Sequence, residues 1–204
     1  MLIEKEIDMG VIILTGKSCS GKDSVRRELE GWGYNNIVSY TSRPIRENEV
    51  DGIDYNFVNR GQFEKMIMTE QMIEYRTYNT LFNGNPDTWY YGLRKEKLDF
   101  SDKYVVILDL DGVENFIKYY GYENCFTIYM CCSKSERERR AIERGSFDRT
   151  EWNRRVSADE KDFKAKKLKK LIDFTVVNMN NDLEDLPRIA QILNKMHNNH
   201  FKEI

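Results

Sequence analysis

The sequence predicts an α/β protein built on a doubly wound parallel sheet. Short apolar runs recur along the chain, and segments of helical length separate them. The first run is followed directly by a turn rich in glycine, serine and lysine. Strands that alternate with helices in this way are typical of parallel sheets with right-handed crossover connections.

Four of these runs are expected to form buried strands of the sheet. Each is short and rich in β-branched or aromatic residues, as strands covered on both faces are. The four runs are residues 11–15, 104–108, 126–130 and 174–177.

Apolar residues at helical spacing mark the segments between the strands. Val25, Leu29 and Trp32 recur at this spacing after the first run, and the glycines that follow end the helix. Ser133 and Glu136 have capping-box spacing and predict a charged helix through Arg144. The apolar positions of the later helices are Trp152, Val156 and Phe163, in one helix that ends near Leu171, and Leu186, Ile189, Ala190, Leu193 and Met196 in the last.

The alternation of strand and helix breaks between residues 40 and 92. This stretch is polar and aromatic, with turn signals at Asp51-Gly52 and Asn83-Gly84. The expected elements are short strands at residues 55–58 and 72–75, on either side of a helix at residues 60–69. We interpret the stretch as an α+β insertion rather than as a separate domain.

Composition and charge limit the classes of partner. The 204 residues suit one domain, and 32 basic against 34 acidic residues give a formal charge of −2. That balance gives no reason to expect nucleic acid or an anionic membrane as the main partner. No apolar run approaches the roughly 20 residues that span a bilayer, and the first residues lack the order of a secretion signal. We therefore expect a cytoplasmic protein.

The cysteines are expected to be reduced thiols. Their spacing does not match a zinc site, because no second paired cluster accompanies the two adjacent cysteines. The four cysteines are Cys19, Cys125, Cys131 and Cys132. Of the four, only Cys19 lies in a segment that also suggests a functional site. Even there, we favour a role for Cys19 as a small residue that fills space.

That stretch is a candidate phosphate-binding loop. The segment Gly16-Lys-Ser-Cys-Ser-Gly21-Lys22 follows a predicted strand and opens a predicted helix. In this context glycines allow backbone N–H groups to surround phosphate oxygens, the helix dipole favours the anion, and Lys22 can reach the β- and γ-phosphates. The residues expected to bind ATP are Gly16, Ser18, Cys19, Ser20, Gly21, Lys22, Asp23 and Ser24.

The loop departs from the usual pattern at Asp23. The pattern has Ser or Thr after the lysine, whose hydroxyl coordinates Mg²⁺ without adding charge. A carboxylate is also a suitable ligand for Mg²⁺, although it brings a negative charge close to the phosphates. Asp23 is therefore the candidate metal ligand, and Ser24 is expected to point elsewhere on the helix.

The next segment resembles the monophosphate-binding region of guanylate kinases. It reads Ser-Tyr-Thr-Ser-Arg-Pro-Ile-Arg over residues 39–46 and continues through residues 49–58. Two arginines that are three residues apart can grip a phosphate in bidentate fashion. The resemblance implies that the acceptor phosphate is held by Ser39, Arg43, Arg46, Tyr55 and Tyr91.

The same resemblance gives roles to two acidic residues. Glu74 matches the family glutamate that accepts hydrogen bonds from N1–H and the amino group of guanine. Asp111 matches the family aspartate at a strand end near both nucleotides, and open α/β sheets do bind ligands at their strand ends.

The second half of the chain reproduces the spacing of the family's lid. Arg140, Arg144 and Arg155 would close over ATP and neutralise charge on the transferring phosphoryl group, and Asn178 would contact the donor adenine. An alternative for arginines of this charged helix is pairing with glutamates of the same helix, and it applies most directly to Arg137 and Arg139.

The resemblance covers residues 11–196 and implies transfer of a phosphoryl group from ATP, with Mg²⁺, to GMP or dGMP. It implies one domain, with a core over residues 10–38, 93–144 and 156–200, a monophosphate-binding insertion over residues 39–92 and a lid over residues 145–155. Small-molecule nucleotides are then the expected partners, and the oligomeric state stays open.

Two further departures bear on the acceptor base. Leu93 stands where the family usually has Ser or Thr, whose hydroxyl donates to O6 of guanine. The segment between Glu74 and Tyr91 is several residues longer than usual, with residues 80–87 as the extra loop. A kinase for another nucleoside monophosphate therefore stays open as an alternative. A second alternative is a catalytically weak module of the same fold that binds a protein. Such modules tend to lose the lysine of the phosphate loop or the acceptor-site arginines, whereas this chain has Lys22 and both arginines.

Overall fold

The computed structural model describes residues 10–47, 49–82, 85–145, 147–178 and 191. Contacts group the chain into two compact units, Met1–Asn35 with Phe100–Ile204, and Asn36–Asp99. The expected last helix, with its stripe from Leu186 to Met196, and the turn signal at Asn83-Gly84 lie outside the described residues.

Nine strands and six α-helices make up the described part of the chain. The strands are β1 (Val11–Thr15), β2 (Asn35–Asn36), β3 (Tyr40–Thr41), β4 (Asn56–Phe57), β5 (Met72–Phe82), β6 (Asn85–Arg94), β7 (Tyr104–Ile107), β8 (Cys125–Cys131) and β9 (Phe174–Val177). The helices are α1 (Lys22–Gly31), α2 (Arg60–Met68), α3 (Leu110–Tyr120), α4 (Lys134–Glu143), α5 (Arg149–Asp162) and α6 (Ala165–Leu171).

The first unit is organised around a five-stranded sheet in the order β2-β7-β1-β8-β9. β1 lies at its centre and runs parallel to both neighbours, with Ile12 opposite Val105 on one side and Phe126 on the other. Every residue of β1 is buried, as expected for a strand covered on both faces. The predicted α/β class with a parallel sheet is confirmed, and its four predicted strands are all present to within a residue at each end.

The helix after β1 begins and ends where the sequence predicts. Val25 and Leu29 are fully buried and pack with the strands, whereas Trp32 is the C-cap residue and is 44% exposed. Ser133 caps α4 by accepting a hydrogen bond from the backbone N–H of Glu136, which is the contact that its spacing predicts.

The expectation of one helix from Trp152 to Leu171 is wrong. The chain forms α5 and α6 instead, and they are separated at Phe163 and Lys164. Phe163 closes α5 and is nearly buried, with its ring 5.8 Å from that of Tyr129 on β8. The backbone of Phe163 leaves helical geometry, with φ of −91° and ψ of 58°, so α5 ends there.

The second unit contains a four-stranded sheet in the order β4-β3-β6-β5 and the helix α2. Asn59 and Gln62 form a capping box at the start of α2, which buries Phe63. The expected helix is present here, but the strands differ from expectation. β4 is shorter than residues 55–58, and β5 is much longer than residues 72–75.

The extra loop expected at residues 80–87 is mostly strand. β5 and β6 pair antiparallel from Met72 opposite Arg94 to Phe82 opposite Asn85. Side chains alternate along β5, so that Arg76 and Tyr78 are half-buried while Tyr75 and Thr77 are exposed. An alternation with a period of two is typical of a strand with one covered face. Residues 80–82 and 85–87 therefore lengthen the β5–β6 hairpin instead of forming a loop.

Within the described ranges, the helices are too short and too polar to cross a membrane.

Candidate active site

The candidate phosphate loop connects β1 to α1 through an unusual backbone. Gly21 has a φ of 97°, and a Cβ atom there would lie 2.4 Å from Nδ2 of Asn178. A Cβ atom on Gly16 would lie 2.6 Å from the carbonyl oxygen of Met130. Glycine is therefore required at both positions, because a side chain would collide with the packed neighbours of the loop.

The start of α1 offers backbone donors for an anion. Within the described part of the chain, the N–H groups of Gly21, Lys22, Asp23 and Ser24 make no hydrogen bond, since the first helical bond runs from Val25 to the carbonyl of Gly21 at 3.2 Å. Unpaired N–H groups at a helix N-terminus, together with the helix dipole, fit a phosphate.

Lys22 lies against the loop that it follows. Its ammonium donates to the carbonyls of Gly16 at 2.8 Å and Lys17 at 3.1 Å. Because an ammonium has three donors, one stays available for a phosphate oxygen. Burial lowers the pKa of Lys22 from its ordinary value, while the carboxylates of Asp23 and Asp159 act in the opposite direction.

Asp23 is exposed in the first turn of α1. No group of three or more metal-ligating side chains occurs among the residues that the structure describes. Mg²⁺ at nucleotide sites is commonly held by one or two carboxylates together with phosphate oxygens and water, so Asp23 suits such a metal without further protein ligands.

Arg140 and Asn178 hold the loop from its side. Arg140 is 7% exposed and donates to Oδ1 of Asn178 at 3.2 Å and to the carbonyl of Cys19 at 3.5 Å. The Asn178 amide donates to the carbonyl of Ser20 at 3.0 Å. Glu136 completes the set by pairing with Arg140 Nε at 2.9 Å. These contacts brace the loop backbone through side chains from α4 and from the residue that follows β9.

The other two candidate lid arginines have different surroundings. Arg144 is the exposed C-cap residue of α4, and its charge is close enough to Lys22 to contribute to the lowered pKa of that residue. Its side chain makes no hydrogen bond or ion pair to the described residues. Arg155 on α5 pairs with Glu151 at 2.8 Å and is 36% exposed.

In the second unit, Arg43 is the centre of the candidate acceptor site. It is 3% exposed and donates to Glu49 at 2.7 Å and to the carbonyl of Pro44 at 2.7 Å. Its guanidinium lies 5.6 Å from the ring centres of both Tyr55 and Phe57. A buried cation held in this way is fixed in position before any ligand binds.

Glu49 orients both arginines of the motif. It accepts a hydrogen bond from the backbone N–H of Arg46 at 3.0 Å, and the Arg46 guanidinium lies 3.8 Å away with its side chain 53% exposed. Burial would raise the pKa of Glu49, but the hydrogen bonds from Arg43 and Arg46 outweigh it and leave the pKa below its ordinary value.

The expected tyrosines lie beside these arginines. The rings of Tyr55 and Tyr91 meet edge to face at 5.9 Å. Ser39 lies directly before β3, where its carbonyl accepts a hydrogen bond from the N–H of Asn56 at 2.8 Å. The second unit therefore brings Arg43, Arg46, Tyr55 and Tyr91 into one cluster.

Glu74 lies on β5 opposite Leu93 of β6, after a register shift between Met72 and Glu74. Glu74 is half-buried, whereas Leu93 is 1% exposed and belongs to the apolar core. A Cβ atom on Gly92 would lie 2.5 Å from the carbonyl oxygen of Glu74, so the two strands approach closely there.

Asp111 does not lie at the strand end where we expected it. β7 ends at Ile107, Asp109 caps α3, and Asp111 lies in the first turn of that helix. Its side chain is 58% exposed and forms an ion pair with Lys167 of α6. The strand-end position is therefore closer to Asp109.

Comparison with known proteins identifies the family. A family model described as guanylate kinase matches residues 8–196. The chain belongs to the guanylate kinase family. A guanylate kinase of Salinibacter ruber is 30% identical over 195 residues, which cover 91% of this chain and 98% of that protein. One from Streptococcus pyogenes is 42% identical over 82 residues, or 39% of each chain.

A solved structure has the same fold. The guanylate kinase from Anaplasma phagocytophilum matches with a TM-score of 0.57 at 23% identity, and the match covers 93% of this chain and 87% of that one. The two chains therefore share one fold.

Sequence reasoning missed two residues at the phosphate loop of this guanylate kinase-family member. Arg137 is 2% exposed and pairs with Asp159 of α5 at 2.9 Å, rather than with the glutamates of its own helix. The prediction for Arg139 was right, since it pairs with Glu136 and Glu143. A signal for Arg137 was its position three residues before Arg140, which places both on one helix face.

A third residue was missed at the acceptor cluster. Tyr78 lies on β5, and its ring meets that of Tyr91 edge to face at 5.4 Å. It lies on the half-buried face of the hairpin that also carries Glu74. The family resemblance could not place it, because the hairpin is longer here than the family spacing.

Proposed function

We propose that this guanylate kinase-family protein transfers the γ-phosphoryl group of ATP to GMP or dGMP, with ADP and GDP or dGDP as products. The observation that supports this most strongly is the acceptor cluster, in which Glu49 holds a buried Arg43 beside Tyr55. A monophosphate is the dianion for which such a preorganised set of donors is suited.

The acceptor phosphate would be bound by the two arginines and by the hydroxyl groups around them. Arg46 is exposed and close to Glu49, so it can turn towards a phosphate at little cost. The set that would bind the phosphate is Ser39, Arg43, Arg46, Tyr55 and Tyr91. These groups hold the attacking oxygen still, which lowers the entropic part of the barrier.

The donor phosphates would be bound by the open N–H groups at the start of α1 and by Lys22. Mg²⁺, with Asp23 as its candidate protein ligand, would neutralise charge on the β- and γ-phosphates. Arg144 and Arg155, with Arg140 behind the loop, would stabilise the charge that spreads over the transferring group. Arginines in this role are worth about 10³–10⁵ in rate. Asn178 would help to shape the adenine side of the site.

Glu74 would select the acceptor base. A carboxylate accepts from both N1–H and the amino group of guanine, and adenine offers no such pair of donors. Leu93 cannot donate to O6, so the selection would depend on Glu74 more heavily than in relatives with a hydroxyl there. Asp111 is proposed as a further nucleotide contact, which would require its pair with Lys167 to open.

Nucleotides are the only partners that the proposal requires, and we place the reaction in the cytoplasm. The support is that Cys19, Cys125, Cys131 and Cys132 are all free thiols.

The test is release of ADP from MgATP by the purified protein, with GMP, dGMP, AMP, CMP, UMP and dTMP supplied separately. We expect turnover with the guanine nucleotides only. Lys22→Ala and Arg43→Ala should abolish it in folded protein, while Arg60→Ala, a change of an exposed arginine in the same unit as Arg43, should not.

Each other result has a defined meaning. Turnover with a nucleotide of another base would support the phosphoryl transfer but contradict the specificity for guanine. Leu93 would then explain the difference in specificity. No turnover with any acceptor in a folded sample would overturn the proposal in favour of a protein-binding module.

A further inference from the structure

The phosphate loop is held on one side by an ion pair between two helices. Arg137 of α4 donates to Asp159 of α5 at 2.9 Å and to the carbonyl of Ser18 at 3.2 Å. Asp159 in turn accepts from the N–H of Ser18 at 2.9 Å and from its hydroxyl at 3.2 Å. Every polar group of Ser18 is therefore bound by one member of the pair.

The ion pair between Arg137 and Asp159 is expected to add little to the free energy of unfolding. Arg137 is 2% exposed and the Asp159 side chain 11% exposed, so both charges have lost most of their hydration. Within the described chain, Nε of Arg137 is buried without a hydrogen-bond partner. Buried pairs of this kind are often no more stable than apolar residues of the same size, and in some proteins they serve to fix one geometry.

The backbone next to Ser18 needs to be held. Cys19 has a φ of 62°, in the left-handed region that costs a residue with a side chain about 1–2 kcal/mol. Arg140 and Asn178 contact the carbonyls of Cys19 and Ser20, on the other side of this position. The Ser18 contacts complete a set of braces around the strained residue.

We propose that Asp159, oriented by Arg137, is a positioning residue that holds the phosphate loop in its ATP-binding conformation. It also ties the loop to α5, the helix that carries Arg155. The identity of the ligand as ATP depends on the function proposed above, whereas the effect on the loop does not.

The experiment compares Asp159→Ala and Asp159→Asn with Glu160→Gln. Glu160 is the matched control, because it lies next in the same helix and pairs with Lys17 of the loop at 2.5 Å, but its side chain is 60% exposed. Two quantities are measured for each protein: the rate at which a maleimide modifies Cys19, mapped by mass spectrometry with and without MgATP, and KM and kcat with ATP and GMP varied in turn.

We expect Asp159→Ala to raise both the Cys19 modification rate and KM for ATP by about 10- to 100-fold, the scale of lost hydrogen bonds to a charged group. KM for GMP should not change. Asp159→Asn should be intermediate, since its amide oxygen still accepts from Ser18 but cannot pair with Arg137. Glu160→Gln should change each quantity by less than about threefold, as for an exposed pair.

Unchanged Cys19 reactivity and KM for ATP in folded Asp159→Ala would overturn the proposal, as would equal rises in KM for both substrates. If Asp159→Ala does not fold, Asp159→Asn decides by the same criteria. An inactive wild-type protein would contradict only the proposed function, because Cys19 modification would still report on the loop.

Discussion

Arg43 shows how a single residue can be committed to one task. Its guanidinium is buried, and Glu49 is the carboxylate that compensates for its lost hydration. Removing one partner of a buried ion pair leaves an uncompensated charge, which costs about 3–5 kcal/mol. The position of the Arg43 guanidinium should therefore depend on the carboxylate of Glu49.

Glu49→Gln tests this dependence. Without the carboxylate, Arg43 and Arg46 lose their shared acceptor, and we expect KM for GMP to rise about tenfold, the effect of one charge-assisted hydrogen bond. Glu64→Gln is the control, because Glu64 pairs with the exposed Arg60 in the same unit. Equal KM values for GMP in the two variants would contradict the assignment of Glu49.

Glu136 gives a prediction for pH. Hydrogen bonds from Arg139 and Arg140, opposed by burial, lower its pKa to about 2. A carboxylate with a lowered pKa in the folded state stabilises the protein above its unfolded pKa, and this contribution is lost as the pH falls through the folded value. Urea unfolding should show wild type more stable than Glu136→Gln at pH 6, with a gap that narrows from about pH 4.5 downwards. A gap that widens in acid would refute the pairing.

At the scale of elements, local sequence predicted some segments well and others poorly. The succession of β1, loop and α1 was predictable because an apolar run, glycines and helical spacing all lie close together in the chain. The separation of α5 from α6 was not, because the apolar residues Trp152, Val156 and Phe163 continue at helical spacing up to the break. The outer part of the β5–β6 hairpin was likewise predicted as a loop, because it contains turn-forming residues. Its structure depends on pairing between the two strands, which the local sequence does not show.

The candidate site divides in the same way. Lys22, Arg43 and Arg46 were found from motifs in continuous sequence. Arg137 and Asp159 were not, because the burial of one depends on the other across two helices. The spacing of Arg137 from Arg140 places both on one helix face, but it does not indicate that Asp159 of another helix is the partner of Arg137.

The hairpin itself carries a prediction. Tyr78→Ala removes an edge-to-face contact with Tyr91, and such contacts are worth about 0.5–1.5 kcal/mol. We expect KM for GMP to rise about 2- to 10-fold as Tyr91 loses this support. Tyr75→Ala, on the exposed face of the same strand, should have no such effect. A larger change in Tyr75→Ala would show that the assignment of the two faces is wrong.

At the scale of the whole molecule, the residues proposed for donor and acceptor belong to different compact units. Lys22 and the lid arginines lie in the first unit, and Arg43 with its partners lies in the second. A substitution in one unit should therefore abolish binding of one nucleotide and leave binding of the other unchanged.

Thermal unfolding tests this separation. A ligand at 100 times its Kd stabilises a protein by about 2.7 kcal/mol, which should raise Tm by roughly 5–10 °C for a chain of this size. We expect MgATP to stabilise Arg43→Ala but not Lys22→Ala, and GMP to stabilise Lys22→Ala but not Arg43→Ala. Loss of both shifts in one variant would contradict independent sites.

The first unit is discontinuous in the chain, and this affects how the protein is made. β1 is synthesised before the second unit, whereas its partners β7 and β8 follow only after the whole of that unit. On the ribosome, the strands of residues 36–99 can find each other while the apolar β1 still has no neighbour. Pairing of strands that are far apart in the chain is slow, and β1 and β7 are separated by the whole second unit. We therefore expect β1 to be the segment that most needs a chaperone during translation.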